Sequence, residues 1–114
     1  METINKRPWG YYQILSDASD HKVKRIIVEP GGSLSLQRHK QRSEHWYAVS
    51  GEGRAIIAGR NHQMTAGTAV DIPQGATHRL ENLSNVDLVI IEVQTGTYFG
   101  EDDIERLEDK YGRV

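Results

Sequence analysis

Cysteine is absent from the 114 residues of this chain, which excludes disulfide bonds and thiolate metal ligands. Proline occurs only 3 times, too rarely for a proline-rich linker. The longest apolar run, 86–93, is interrupted by Asp87 and Glu92 and is far shorter than the roughly 20 residues that span a bilayer. Because a signal peptide is missing as well, the sequence predicts a cytoplasmic protein without a membrane partner.

Basic and acidic residues are nearly balanced in number. The 14 basic and 16 acidic residues give a formal charge of -2. Proteins that bind nucleic acids usually carry a basic excess, so nucleic acid is not an expected partner. The charge is uneven along the chain, however, because 38–42 is basic and 101–109 is acidic. A local basic rim suits a small anionic ligand. The chain length predicts one domain over residues 1–114.

Turn-forming glycine, proline and asparagine residues recur at short intervals and separate short β-prone runs. Many short strands with regular turn signals predict an all-β sandwich or barrel. The aromatic-rich segment 7–12 is expected to pack on this barrel. The expected strands are 22–29, 33–39, 44–50, 54–58, 68–72, 77–81 and 88–94.

Only the C-terminus has a helical pattern. Acidic residues at 101–103 favour the N-terminal end of a helix dipole. Ile104, Leu107 and Tyr111 then recur at i, i+3 and i+7, which forms one apolar stripe. We therefore predict a short helix at about 101–111, packed against the sheet or against a partner chain.

Two imidazoles, one carboxylate and one amide are spaced so that they can converge. Gln37 and His39 are two residues apart and share a face of a strand. The polar stretch 40–43 can turn the chain, so that a returning strand from Glu44 brings its carboxylate beside His39. His78 begins another strand. This nitrogen and oxygen ligand set suits Zn²⁺, Mn²⁺, Fe²⁺, Co²⁺ or Ni²⁺ rather than an ion that prefers sulfur.

The spacing of these residues resembles the two sequence motifs of the cupin family. The first motif, G-x5-H-x-H-x(3,4)-E-x6-G, fits residues 31–51, with glutamine in place of the first histidine. The second, G-x5-P-x-G-x2-H-x3-N, fits residues 67–82 at every defined position. The resemblance implies a small double-stranded β-helix (jelly-roll) barrel that holds one divalent metal ion. The implied ligands are Gln37, His39, Glu44 and His78.

The whole chain more specifically resembles the type II mannose-6-phosphate isomerase domain. This resemblance implies a stand-alone, metal-dependent interconversion of mannose 6-phosphate and fructose 6-phosphate through an enediol, with zinc as the first choice of metal. In that family the domain often follows a sugar-nucleotide pyrophosphorylase, so a separate pyrophosphorylase of the same pathway is an expected partner. The matching stretches are RPWGYY at 7–12, VKRIIVEPGGSLSLQRH at 23–39, RSEHWYAVSGEG at 42–53, IPQGATHRLEN at 72–82 and IEVQTGTYFGEDDIERLEDKYGR at 91–113.

Isomerisation needs a base beside C1 and C2 of the sugar, and Glu92 is the candidate. It interrupts an apolar strand, where a carboxylate is costly unless it is paired or functional. Burial would raise its pKa toward a range that suits a general base. The alternative is a structural glutamate held in a salt bridge. His45 follows Glu44 directly and points to the opposite face, so it is a weaker candidate.

The phosphate of a phosphorylated hexose requires cations, for which arginine is the natural choice. The candidate substrate-binding residues are Lys24, Arg42, Arg79 and Gln94, and the sequence does not choose among the cations. Trp46 has the parity of Glu44 and either forms a wall for the sugar or fills the core; the core is the favoured interpretation.

Three functions remain open from the sequence. The first is the metal-dependent phosphosugar isomerase. The alternatives are a non-catalytic cupin that binds metal or sugar, and an iron-dependent cupin oxygenase. A homodimer is expected by analogy with other cupin barrels.

Overall fold

The computed structural model describes residues 3–113, which form strands, turns and loops without a helix. Many of the strands begin or end at the glycine-containing turns that the sequence marks. The strands are β1 Ile4–Arg7, β2 Gly10–Asp17, β3 His21–Val28, β4 Leu36–Arg38, β5 Arg42–Ser50, β6 Glu52–Ile57, β7 Arg60–Thr65, β8 Ala69–Ile72, β9 His78–Glu81, β10 Leu88–Gly96 and β11 Glu105–Glu108.

The strands form two antiparallel sheets that face each other, which confirms the all-β prediction. One sheet has six strands in the order β1-β2-β3-β10-β5-β8, and the other has five in the order β11-β4-β9-β6-β7. Most neighbours in these sheets are distant in sequence: β10 pairs with β3 and β5, and β9 pairs with β4 and β6. The chain therefore crosses repeatedly between the sheets.

The core lies between the two sheets and follows the strand alternation. Trp46, Ala48, Leu88 and Ile90 from the six-stranded sheet are fully buried, and so is Leu80 from the opposite sheet. Toward one end of the barrel, the inward-facing positions of β5 and β10 are polar instead of apolar. The buried residues there are Glu44, Glu92 and Gln94. The fold thus places an apolar core and a polar cavity on one continuous interior surface.

The N-terminal segment packs on the barrel as predicted, although the sequence analysis missed its strands. Trp9 and Tyr12 are buried, and Trp9 belongs to the core cluster. Gly10 lies between them with φ at 151°, and a Cβ there would overlap the carbonyl oxygen of Ile27. Only glycine combines this backbone conformation with such a close approach to β3. β7 was missed as well, since Arg60–Thr65 is mostly polar.

The predicted helix at 101–111 is wrong. Residues 101–103 form a turn and Glu105–Glu108 forms β11, which pairs with β4 at one edge of the five-stranded sheet. An apolar spacing of i, i+3 and i+7 over so few residues does not decide between helix and strand. The unpaired edge of β4 supplied hydrogen-bond partners that no local pattern reveals.

No helix long and apolar enough to cross a membrane occurs among the described residues.

Candidate metal and substrate site

Three of the predicted metal ligands converge between the sheets. His39 follows β4, Glu44 lies on β5 of the opposite sheet and His78 begins β9. One ligand atom from each lies within 4.8 Å of the others, and all three side chains are buried. His39 Nε2 is 3.3 Å and His78 Nε2 is 3.7 Å from the Glu44 carboxylate. Residues far apart in sequence therefore form one compact cluster.

Backbone carbonyl groups hold both imidazole rings by Nδ1. His39 Nδ1 lies 2.6 Å from the Asp103 carbonyl oxygen, and His78 Nδ1 lies 3.0 Å from that of Ala76. A carbonyl oxygen only accepts, so Nδ1 carries the hydrogen in each ring and the Nε2 lone pair faces the cluster. Metal-binding histidines are commonly oriented in this way.

Both histidines are neutral at physiological pH. Burial, followed by the positive charge of Arg42, lowers the pKa of His39 to about 4. Burial also lowers the pKa of His78. Neutral imidazole is the form that binds metal.

The residues present fit a divalent metal ion. Within residues 3–113, the buried His78 Nε2 has no hydrogen-bond partner. Leaving such an atom unsatisfied costs about 1–3 kcal/mol, and a metal ion would remove that cost. His39 Nε2 lies 3.2 Å from Arg42 Nη2, so a metal ion bound at this nitrogen would replace a hydrogen bond from Arg42.

Gln37, the fourth predicted ligand, lines the same cavity. It lies directly opposite His78 in the pairing of β4 with β9, so the two side chains share a face. Its Oε1 accepts a hydrogen bond from the buried Ser35 hydroxyl at 3.0 Å. A second lone pair on that oxygen remains for a cation.

Glu44 of the cluster and the neighbouring Glu92 share a hydrogen-bond donor, the indole of Trp46. Trp46 Nε1 contacts Glu44 Oε1 at 3.1 Å and Glu92 Oε2 at 3.0 Å. Gln94 Nε2 donates to Glu92 Oε1 at 2.7 Å. Trp46 is fully buried, which confirms that it belongs to the core, although its indole nitrogen also serves the site. The strands β5 and β10 supply all four residues.

Glu92 lines the cavity and is the candidate base identified from the sequence. Burial, followed by repulsion from Glu44, raises its pKa to about 8. No lysine or arginine among residues 3–113 forms an ion pair with it. The alternative of a salt-bridged structural glutamate therefore lacks a partner in the described part of the chain.

The predicted substrate-binding cations divide between the inside and the outside of the barrel. Lys24 and Arg42 line the cavity, as does Gln94. Arg79 does not: it alternates away from the inward His78 and donates to the carbonyl oxygens of Leu34 and Glu108. A role for Arg79 in the cavity is therefore wrong, for the reason that successive residues of a strand face opposite sides.

His45 also lies outside, exposed and 2.7 Å from Asp71. Sequence reasoning missed three cations that line the cavity: Arg7, Arg106 and Arg113. Arg106 was missed because its segment was interpreted as a helix. Strand parity would have separated the inward Arg106 from the outward Glu105. The cavity has a volume of about 70 Å³.

Two facing antiparallel sheets with a buried cluster of histidine and glutamate side chains between them define a cupin. Solved structures agree: CapF from Staphylococcus aureus, a capsular polysaccharide assembling protein, superposes with a TM-score of 0.85 at 25% identity, over 96% of this chain and 35% of that chain. Oxalate decarboxylase from Lactobacillus farciminis, at 21% identity, shows the fold alone, with a TM-score of 0.80 over 93% of this chain and 33% of that one.

The chain belongs to the family of mannose-6-phosphate isomerase C-terminal domains, whose model matches residues 1–109. It is 46% identical to mannose-1-phosphate guanylyltransferase ManC of Salmonella typhimurium and 48% identical to the alginate biosynthesis protein AlgA of Pseudomonas aeruginosa. Each match covers 95% of this chain but only 22% of the relative. The chain thus spans about a fifth of the length of these relatives.

Proposed function

We propose that this domain is a metal-dependent phosphosugar isomerase that interconverts mannose 6-phosphate and fructose 6-phosphate through an enediol. The observation that carries the proposal is a buried cluster of His39, Glu44 and His78 with Glu92 in the same cavity. The family's description supports the choice of sugar. The guanylyltransferase activity in the name of one relative is not assigned to this chain.

One divalent metal ion, with zinc the first choice, is the proposed cofactor. His39, Glu44 and His78 would hold it, and the amide oxygen of Gln37 is available as the fourth ligand. When bound, such an ion stabilises negative charge that develops on the sugar's carbonyl and hydroxyl oxygens. The neutral histidines and the carboxylate match the preferences of zinc, and iron, manganese, cobalt and nickel accept the same ligand types.

Glu92 is the proposed base. Its carboxylate removes the proton from C2 of the open-chain aldose, while the carbonyl oxygen at C1 gains a proton to give the enediol. Glu92 then returns this proton to C1, and the C2 hydroxyl releases its own proton as it becomes the carbonyl of the ketose. The proton released by the C2 oxygen balances the one that the C1 oxygen gained. Gln94 holds one carboxylate oxygen of Glu92 at 2.7 Å and Trp46 holds the other at 3.0 Å. These two contacts keep the carboxylate in a single orientation.

The proposed binding partners are the phosphorylated hexose, a second copy of the chain and a pyrophosphorylase. Lys24 and Arg42 line the cavity and favour an anionic substrate. A homodimer and a pyrophosphorylase of the same pathway stay predictions.

A coupled assay of the two hexose phosphates tests the function. We expect interconversion that a chelator abolishes and zinc restores. Changing Glu92→Gln should lower kcat by about 100- to 10,000-fold, the usual contribution of a general base, while leaving bound zinc unchanged. Changing His39→Ala should remove both zinc and activity.

The matched control is His45→Ala, since His45 is exposed on the outer face and should be dispensable. Full activity in His39→Ala, or in metal-free protein, would contradict the proposal. Sugar binding without turnover would favour the non-catalytic cupin. Iron as the metal retained on purification, together with consumption of oxygen, would favour the oxygenase.

A further inference from the structure

Most cations that line the cavity already have an acceptor. In each case a carboxylate or a hydroxyl takes up hydrogen bonds from the cation, so its capacity to bind a further anion is reduced. The pairs are Lys24 with Glu101 at 2.6 Å, Arg42 with Glu44 at 3.1 Å, Arg113 with Asp109 at 2.8 Å and Arg7 with the Tyr12 hydroxyl at 3.1 Å.

Arg106 differs from these residues. It lines the cavity from β11 and is half-buried. Among residues 3–113 it has neither a hydrogen-bond acceptor nor an ion-pair partner, and its Nε is buried without a partner. A guanidinium that is partly removed from water without an acceptor is costly. Such a group is ready to receive an anion.

Strand register places Arg106 in line with the proposed metal ligands. It pairs with Gln37, and Gln37 pairs with His78 on the next strand. Directly opposed residues share a face of the sheet, so the three side chains form an inward row. Two strand spacings separate the backbones of Arg106 and His78, which is about 10 Å. This span is comparable to that of an extended hexose 6-phosphate, with the reacting carbons at one end.

The outer face of the same two strands shows the contrast. There Arg38 and Glu105 form an ion pair at 2.8 Å. The outward Arg38 therefore has a carboxylate partner, whereas the inward Arg106 has none among residues 3–113. Arginine offers two parallel N–H donors that match two phosphate oxygens, which makes the inward position suited to a phosphate group.

We propose that Arg106 is the phosphate anchor that makes this site specific for a phosphorylated sugar over the free sugar. The inference rests on the proposed function for the identity of the sugar. It assigns substrate recognition to the C-terminal strand β11, whereas the proposed metal ligands come from β4, the residue after it, β5 and β9.

Isothermal titration of the zinc-loaded protein with mannose 6-phosphate, mannose and inorganic phosphate tests the proposal. Changing Arg106→Gln should weaken binding of mannose 6-phosphate by about 10- to 100-fold, the range expected for a charged hydrogen-bonded pair. Inorganic phosphate should lose affinity in the same variant. The affinity for mannose should be the same as in the wild type.

Arg38→Gln is the matched control, because it removes an arginine from the opposite face of the paired strands. Circular dichroism checks the folding of each variant. If Arg106→Gln does not fold, Arg106→Lys tests the proposal instead. Lysine keeps the positive charge but cannot donate two parallel hydrogen bonds, so we expect weaker binding of mannose 6-phosphate. Unchanged affinity in Arg106→Gln or Arg106→Lys, or no binding of either phosphate compound by the wild type, overturns the proposal.

The isomerase assay on the same samples separates this inference from the proposed function. Binding that depends on Arg106 without turnover in the wild type would refute the isomerase and leave the anchor intact. Turnover in the wild type with an unchanged KM in Arg106→Gln would refute the anchor and leave the isomerase intact.

Discussion

The side chain of Trp46 both packs in the core and forms hydrogen bonds at the site. Trp46 fills the core between the sheets and also donates its indole hydrogen toward both buried carboxylates. Without the indole, the buried Glu44 and Glu92 would have one fewer hydrogen-bond donor between them. The indole therefore links the packing of the core to the orientation of the proposed ligand and the proposed base.

Trp46→Phe should lower the free energy of unfolding of the metal-free protein. Buried acceptors that lose their donor cost about 1–3 kcal/mol, beyond the change in packing. Chemical denaturation measures the loss. Trp9→Phe is the control: Trp9 is also buried in the core, and within residues 3–113 its indole nitrogen makes no hydrogen bond. An equal loss in both variants would show that the hydrogen bonds to the carboxylates do not contribute.

At the scale of elements, the C-terminal segment completes the site rather than covering it. The turn that precedes β11 brings Asp103 against the loop after β4. Its carboxylate accepts the backbone N–H groups of Lys40 and Gln41, each at 3.0 Å, and its carbonyl oxygen holds the ring of His39. One residue thus positions both the loop and a proposed ligand.

Asp103→Ala should weaken zinc binding by about 10-fold or more, the usual effect of removing a group that orients a ligand. The loop at 40–41 loses its two acceptors, so His39 is held less firmly. Competition with a chromophoric chelator measures the affinity. The control is Asp102→Ala, which changes the neighbouring exposed carboxylate. Equal zinc affinity in Asp103→Ala and the wild type would refute this positioning role.

On the scale of the whole molecule, the proposed metal centre joins the two sheets. Glu44 belongs to the six-stranded sheet, and His78 belongs to the five-stranded sheet. A ligand that binds only when both sheets are assembled stabilises the folded state by mass action. Metal binding and folding should therefore be linked.

Zinc at about 100 times its dissociation constant should stabilise the protein by about 2.7 kcal/mol. For a domain of this size that corresponds to a rise in Tm of about 10–20 °C. Differential scanning calorimetry measures the rise, which His78→Ala should abolish. His62→Ala should retain it, because His62 lies on β7 away from the cluster. A wild type whose Tm does not respond to zinc would contradict the metal centre.

The sequence alone determined the strand-rich class, the convergence of His39, Glu44 and His78, and the inward position of Glu92 and Gln94. The strand-rich class and the inward positions follow from turn residues and from the two-residue period of a strand, which are local. The convergence was implied by the resemblance to the two cupin motifs. The same two-residue period places Arg79 on the strand face opposite to that of His78, which is why Arg79 does not line the cavity.

Only the tertiary structure decided the C-terminal strand and the choice among cations. β11 exists because β4 presents an unpaired edge, and that edge lies far from it in the sequence. Pairing with β4 then turns Arg106 inward, while Lys24 finds a carboxylate that is distant in the sequence, Glu101. Arg42 and Arg113 pair with carboxylates close to them in the sequence, Glu44 and Asp109. The Lys24–Glu101 pair and the inward direction of Arg106 depend on contacts between segments that are remote along the chain, and no local pattern contains them.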